Sequence, residues 1–407
     1  MKIGILTFYK VANFGANLQA ISTYCYLRNH GHEPIFINYM SSKSYKNYVV
    51  NKDSIKWKAH METIDEIIQE QTKVCFNTDD IMDVIKEKSI ESLIIGSDAV
   101  LQHHPLLARI CRGKRKPIRI NPIDPERIFP NPFWGCGIAD KLPTVLMSVS
   151  SQNSAYNIFS KKTVLAMRAA LQNMRYISVR DNWTQQMVNY IVPDFQTKIT
   201  PDPVFAFNFN AKTYIPSKQH IIKKFHLVPD YVLFSIHNQC VDYNVMKDIK
   251  QHFGQKGISV IFLPIPTGGG VVNHPFDYEI KFPLCPFDWY ALIKYSCAYI
   301  GSNMHPIVVS LHNGVPCYSI DNWGRTNFWG HKIDDGSSKV LDILRRFNVE
   351  NCHKFIENSH CDVTSNEIFD ALQNFPVDYV NEKAKALLGE YKQMMTNIIT
   401  AINDAKE

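Results

Sequence analysis

The chain has 407 residues, 45% of them hydrophobic and 20% charged, with a formal net charge of +6. That length implies two or three domains with sizeable cores, and no apolar run approaches the ~18 residues of a membrane-spanning helix. The ten cysteines stand singly, which excludes a disulfide scaffold or a zinc ribbon, and the basicity is too mild and too dispersed for a nucleic-acid binder.

The opening reads as a strand–helix–strand unit. Ile3 to Phe8 is a short apolar run, Tyr9 to Gly15 a polar turn, Ala16 to Asn29 a helix stopped by Asn29-His30-Gly31, and Pro34 to Tyr39 a second strand. Short links between such elements imply a parallel pair. Further strands are expected at Ser92–Asp98, Thr144–Val149 and Tyr176–Asp181. Thr200-Pro201-Asp202-Pro203 is the best linker, and a second set follows at Tyr231–Ile236, Ser259–Pro264, Ala298–Ser302 and Val315–Ile320. The pattern then turns helical and ends in a long helix from Glu382. The expected architecture is α/β, with two Rossmann-like domains facing a cleft and a C-terminal helix. The expected divisions are 1–205 on the acceptor side, 206–345 on the donor side and 346–407 helical.

Folds of this class bind ligands at the carboxyl ends of their parallel strands, and the candidate residues sit there. Asn13 and Gln19 flank a helix start that Gly15 opens to close backbone approach, so they face a sugar, or Asn13 simply caps the helix. The spacing is not GxGxxG, so it does not support a dinucleotide site. Asp98, after Gly96-Ser97, is placed to accept a hydroxyl proton, or to cap the next helix. Arg180 ends an apolar strand and needs an anion, either Asp181 or a carboxylate or phosphate ligand. Ala298 to Pro306 is the most telling segment. Ser302 or Asn303 caps a helix whose start, through Met304, binds an anion, with Pro306 at its first position and His305 beside the anion for acid–base work. Arg325 reaches the same anion or lies on the surface. Gly268-Gly269-Gly270 lacks the Walker lysine and reads as a loop or lid. His103, His104 and Cys111 lack the spacing of a zinc site, so no metal is expected. Arg109, Arg112, Lys114, Arg115, Lys116 and Arg119 form a basic cluster, read as a solvated loop or a contact to a phosphate-rich or lipid-linked acceptor. Trp134 and Trp323 are either sugar-stacking or core residues.

Taken together, Thr7-Phe8 with Asn13 to Ala20, Gly96-Ser97-Asp98, Ser178-Val179-Arg180, Asp202-Pro203, and His305 followed by Gly314-Val315-Pro316 resemble the polysaccharide pyruvyl transferase family over roughly residues 1 to 325. The resemblance implies a glycosyltransferase-B-like fold and transfer of pyruvate from phosphoenolpyruvate onto two hydroxyls of a sugar as a cyclic ketal. His305, Arg180 and Asp98 would then be catalytic. Arg180, Ser302 to His305 and Arg325 would hold the donor, and Asn13, Gly15, Gln19 and Asp98 the acceptor. Many members carry arginine where Asn303 stands, glycine in place of Pro306 and tryptophan in place of Leu101. Phosphoenolpyruvate enters as co-substrate and the chemistry requires no cofactor. The acceptor is a saccharide, lipid-linked or free, in surface or exopolysaccharide biosynthesis. No nucleic-acid partner is expected, and membrane contact is at most peripheral. The chain is expected in the cytoplasm or at the inner face of the membrane. The competing readings are a nucleotide-sugar glycosyltransferase of the same fold and a non-catalytic sugar-binding relative.

Overall fold

The computed structural model describes residues 1–112, 117–195, 197–265, 271–333, 335–357 and 360–404. The Gly268–Gly270 run and Lys114, Arg115 and Lys116 of the basic cluster lie outside the described residues.

Two parallel sheets carry the fold. The first comprises β1 (Lys2–Leu6), β2 (Glu33–Tyr39), β3 (Gln71–Cys75), β4 (Ser92–Asp98), β5 (Thr144–Val149), β6 (Tyr176–Val179) and β7 (Lys198–Ile199), in the order β3-β2-β1-β4-β5-β6-β7. The second comprises β8 (Tyr231–Ser235), β9 (Ser259–Phe262), β10 (Tyr278–Glu279), β11 (Ala298–Gly301), β12 (Cys317–Asp321) and β13 (His353–Phe355), in the order β10-β9-β8-β11-β12-β13. Both follow the doubly wound pattern, in which strand order reverses beside the first strand and opens a crevice there. The reversals fall between β1 and β4 and between β8 and β11. The central strands are buried on both faces, so they appear in the sequence as unbroken apolar runs.

Helix α1 (Phe14–Asn29) is buried at every position from Phe14 to Leu27, as expected of a helix covered on all sides. It lies between the first sheet and the second half of the chain. One apolar cluster runs from Ile3, Phe14 and Leu18 through Phe205 and Phe207 to Val308, Leu387 and Tyr391, so both halves share it. The Thr200–Pro203 stretch is not an exposed linker. Thr200 and Asp202 are buried, and internal bonds satisfy the segment: Ser148 Oγ donates to the Pro201 carbonyl at 2.9 Å and Val204 N to Asp202 Oδ1 at 2.9 Å.

The segment expected to be helical from 346 onward holds a strand after one 3-10 turn (Glu350–Cys352), because β13 pairs with β12 and extends the second sheet. A short helix (Ser365–Gln373) follows, and then α4 (Val377–Asn403), numbered after α2 (Met304–His312) and α3 (Lys339–Arg346). Its buried stripe, Val380, Ala384, Leu387, Tyr391, Met394, Met395, Ile398 and Ile402, follows helical spacing. This stripe returns to the first half of the chain: the Tyr391 ring meets Tyr26 edge-on at 5.7 Å, and its hydroxyl accepts from Asn210 Nδ2 at 3.1 Å.

Candidate functional site

A cavity of about 960 Å³ opens where the strand-order reversals of the two sheets face each other. The β1 end contributes Thr7 to Gly15, the β4 end Asp98, the β8 end Ser235 and His237, and the β11 end Asn303 to Pro306. Most candidate residues therefore converge, because all of them follow a parallel strand at its carboxyl end.

The loop from β1 into α1 is fixed from behind. Asn17 Nδ2 donates to the carbonyls of Tyr9 (2.8 Å) and Val11 (3.2 Å), and Asn17 Oδ1 stands 2.6 Å from His60 Nδ1. Burial lowers the His60 pKa to about 4, so the ring is neutral and its Nδ1–H donates to Asn17. Asn13 lines the cavity and also caps α1, accepting from Ala16 N at 3.3 Å. Phe14 stacks on Trp289 of the second half at 4.8 Å.

Gly15 packs directly against His305. A Cβ at position 15 would lie 2.0 Å from His305 Cγ, far inside van der Waals contact, so any larger residue there must displace the imidazole. On its other side His305 meets Asp202, with Nε2 3.7 Å from Asp202 Oδ2. The same oxygen accepts from Arg180 Nη1 at 2.8 Å and from Gln19 Nε2. Asp202 is thus the buried hub of the site, joining α1, the end of β6 and the start of α2. Burial lowers the His305 pKa to about 4, against the pull of Asp202 and with help from Arg180. The imidazole is therefore neutral near pH 7.

These contacts correct several expectations. Arg180 is paired with Asp202, not Asp181; Asp181 caps the next helix through Thr184 N at 2.7 Å. Arg180 does not line the cavity either; it lies behind the wall in a small pocket with Met304 and Lys339. Its Nε and Nη2 are buried there without a partner among the described residues, and unpaired guanidinium donors are costly. Gln19 does not face a sugar: it is buried, does not line the cavity, and spends its amide on Asp202. Ser302 does not cap α2, because its hydroxyl donates to the Ile320 carbonyl at 2.7 Å. Asn303 also makes no cap; its Oδ1 lies 3.0 Å from His237 Nε2. Pro306 occupies the third helical position, not the first. Arg325 turns away from the cavity, binding Asp335 and lying over the Trp183 ring at 5.3 Å. Met304 is buried at the cavity wall. Trp134 is a core residue, while Trp323 lines the cavity.

Asp98 ends β4 with φ of 96°, and Asn303 precedes α2 with φ of 82°. Side chains other than glycine rarely adopt such values, and they concentrate at functional sites. Asp98 Oδ1 accepts from Ala99 N at 2.7 Å, and the residue lines the cavity.

Sequence reasoning missed Lys339. It starts α3, lines the cavity, and sits 4.2 Å from the centre of the Trp323 ring. Burial, then the nearby Arg180, lower its pKa to about 8, against Asp98, Asp181 and Asp202. It remains a cation at pH 7. No strand end precedes it, so the rule that found the others could not point to it. The outer cavity wall was also unforeseen: Asn47, Tyr48, Asn51 and Trp57 supply amide and aromatic groups there, a combination suited to sugar rings.

Two solved structures share this architecture. A UDP-GlcNAc 2-epimerase from Neisseria meningitidis bound to UDP-GlcNAc is 9% identical, covering 98% of this chain and 100% of that one with a TM-score of 0.53. An S. aureus MnaA–UDP co-structure is 10% identical, covering 95% and 91% with a TM-score of 0.50. At such identities the likeness is one of fold: the chain has the glycosyltransferase-B-type arrangement of two Rossmann-like domains. No curated protein matches by sequence. The profile of the polysaccharide pyruvyl transferase family matches residues 13–324, a span that runs from the Asn13 cap past Arg180, Asp202 and His305 to Gly324. The chain belongs to the polysaccharide pyruvyl transferase family.

Proposed function

We propose that the protein transfers pyruvate from phosphoenolpyruvate onto two hydroxyls of a saccharide, forming a cyclic ketal. The observation that carries this reading is the nearness of two cations to a buried His305 that faces Asp202: Lys339 at the cavity wall, and Arg180 behind it with unpartnered N–H groups. The donor bears a carboxylate and a phosphate, and guanidinium and ammonium groups match those two anions. Lys339 supplies a cation on the wall where Asn303 stands in place of the arginine common in the family.

The donor's negative charge offsets the burial that keeps His305 neutral, so the bound complex favours imidazolium. His305 gives its proton to the donor methylene, which becomes the methyl group, and the central carbon turns electrophilic. One sugar hydroxyl attacks that carbon and returns its proton to His305. The carbon–oxygen bond to phosphate breaks, with Lys339 and Arg180 stabilising the leaving oxyanion. The second hydroxyl closes the ring, its proton passing by way of Asp98 to the departing phosphate. Asn13 and the Tyr48–Trp57 wall orient the acceptor, and the cavity volume leaves ample room beyond a three-carbon donor.

Phosphate release and thermal shift with phosphoenolpyruvate, UDP, GDP and inorganic phosphate test this. Ligand at a hundredfold its dissociation constant adds about 2.7 kcal/mol, a shift of several degrees. The expected result is a phosphoenolpyruvate-selective shift, lost in Arg180→Ala and Lys339→Gln, and kept in His305→Ala while turnover falls about 100-fold or more. kcat/KM is expected to decline above about pH 8 as Lys339 loses its proton, and Lys339→Arg should extend the plateau. A shift with nucleotides alone would make the protein a glycosyltransferase. Acceptor binding with no donor binding would make it a non-catalytic relative.

A further inference from the structure

Two hairpins grow from the cavity rim. Ile110–Arg112 pairs antiparallel with Ile118–Ile120, just before the cavity-lining Asp124 and Arg127. Arg325–Thr326 pairs with Lys332–Ile333, just after the cavity-lining Trp323. The hairpins touch where Arg112 N donates to the Phe328 carbonyl at 2.6 Å.

Their surface is unusual for a soluble protein. Ile118 and Ile120 of the first hairpin, Phe328 and Trp329 in the turn of the second, and Leu106 and Leu107 in the short helix that leads into the first are between 43% and 68% exposed. In the first hairpin Ile110 lies opposite Ile120 and Arg112 opposite Ile118. Strand alternation puts these four on one face, while Cys111 on the other face is buried. The outward face is therefore apolar with a cation at its edge. Scattered exposed apolar residues need no explanation, but a concentrated set rimmed by polar groups marks an interaction surface.

Charge decides which partner. Between Leu101 and Ile123 the sequence holds no acidic residue, and the cations among its described residues are Arg109, Arg112 and Arg119. A second copy of the same patch would bring like charges together in a two-fold contact, which is costly. An anionic lipid leaflet satisfies both features, taking the aliphatic and aromatic groups at the acyl boundary and the cations among the headgroups. We infer that the two hairpins form a docking surface for an anionic membrane, holding the mouth of the cavity at the bilayer. Arg109 meanwhile braces the first hairpin, its Nε donating to the Asn121 carbonyl at 3.0 Å.

The test is co-sedimentation of the full chain with phosphatidylcholine vesicles, with and without phosphatidylglycerol. Binding is expected only to the anionic vesicles. It should weaken about fivefold when the cation on the outward face is removed in Arg112→Ala, and diminish at about 1 M salt, where the screening length falls to about 3 Å. Leu107→Ser with Ile118→Ser should also release the protein. All these side chains are exposed, so an unchanged melting temperature shows that the variants fold. Equal binding to neutral vesicles, no binding to either kind, or binding unaffected by the substitutions would overturn the inference. So would light scattering that showed a dimer dissociated by the Leu107 and Ile118 changes.

Discussion

Gly15 and His305 come from opposite halves of the chain and occupy adjoining space, so the cavity's geometry depends on the absence of a single methyl group. The backbone there is helical, and alanine suits a helix better than glycine. Gly15→Ala is therefore expected to keep the fold and even favour α1 locally, while pushing the imidazole out of line with Asp202. Turnover should fall about 100-fold, since a 1 Å misplacement of a reacting group costs that much, with a smaller change in the thermal midpoint. Turnover and midpoint measured on the same preparation check this, and unchanged turnover would remove His305 from the chemistry. Asp202 matters for a related reason. It accepts from both Gln19 and Arg180 and faces His305 Nε2 at 3.7 Å, so it gathers the residues around the ring without itself lining the cavity.

At the scale of elements, α4 is held by its stripe, and Leu387 lies at the middle of it, fully buried. Leu387→Ala should cost about 2–5 kcal/mol, seen as a lower urea midpoint, with the phosphoenolpyruvate shift retained in the folded fraction. The elements also show what was legible in the sequence. Strands β1, β4, β8 and β11 were readable because parallel strands buried on both faces are continuous apolar runs. Asn13, Asp98 and His305 were readable because they follow such strands directly. β13 was not, since its three half-buried residues carry too little apolar signal. Gln19 and Arg325 were misread for another reason. Their partners, Asp202 and Asp335, depend on which loops fold together, and no local pattern carries that. Lys339 was missed because it is one lysine among many, given meaning only by the neighbours that surround it.

For the whole molecule, buried histidines set an acid limit. Burial lowers His60, His103, His104 and His305 to about 4 and His312 to about 3. Unfolded, each would titrate near 6.5, so over this window the unfolded chain binds more protons and stability rises with pH, and is lost on acidification. Stability from these groups is complete above pH 6.5 and is lost progressively down through about pH 4. Urea midpoints measured from pH 8 to pH 4 should be level above 6.5 and then fall steadily. A level profile down to pH 4.5 would show that these rings are hydrated or paired in solution.

The position of α4 also bears on how the protein is made. Its residues are the last of the described elements to leave the ribosome, yet Tyr26, one of the first forty residues, packs against Tyr391. The first Rossmann-like half therefore emerges early with part of its surface uncovered and waits for the second half to be translated, at about 5–20 residues per second. During that interval the apolar groups that α4 will cover are open to chaperones, and folding is completed only after synthesis has passed both sheets.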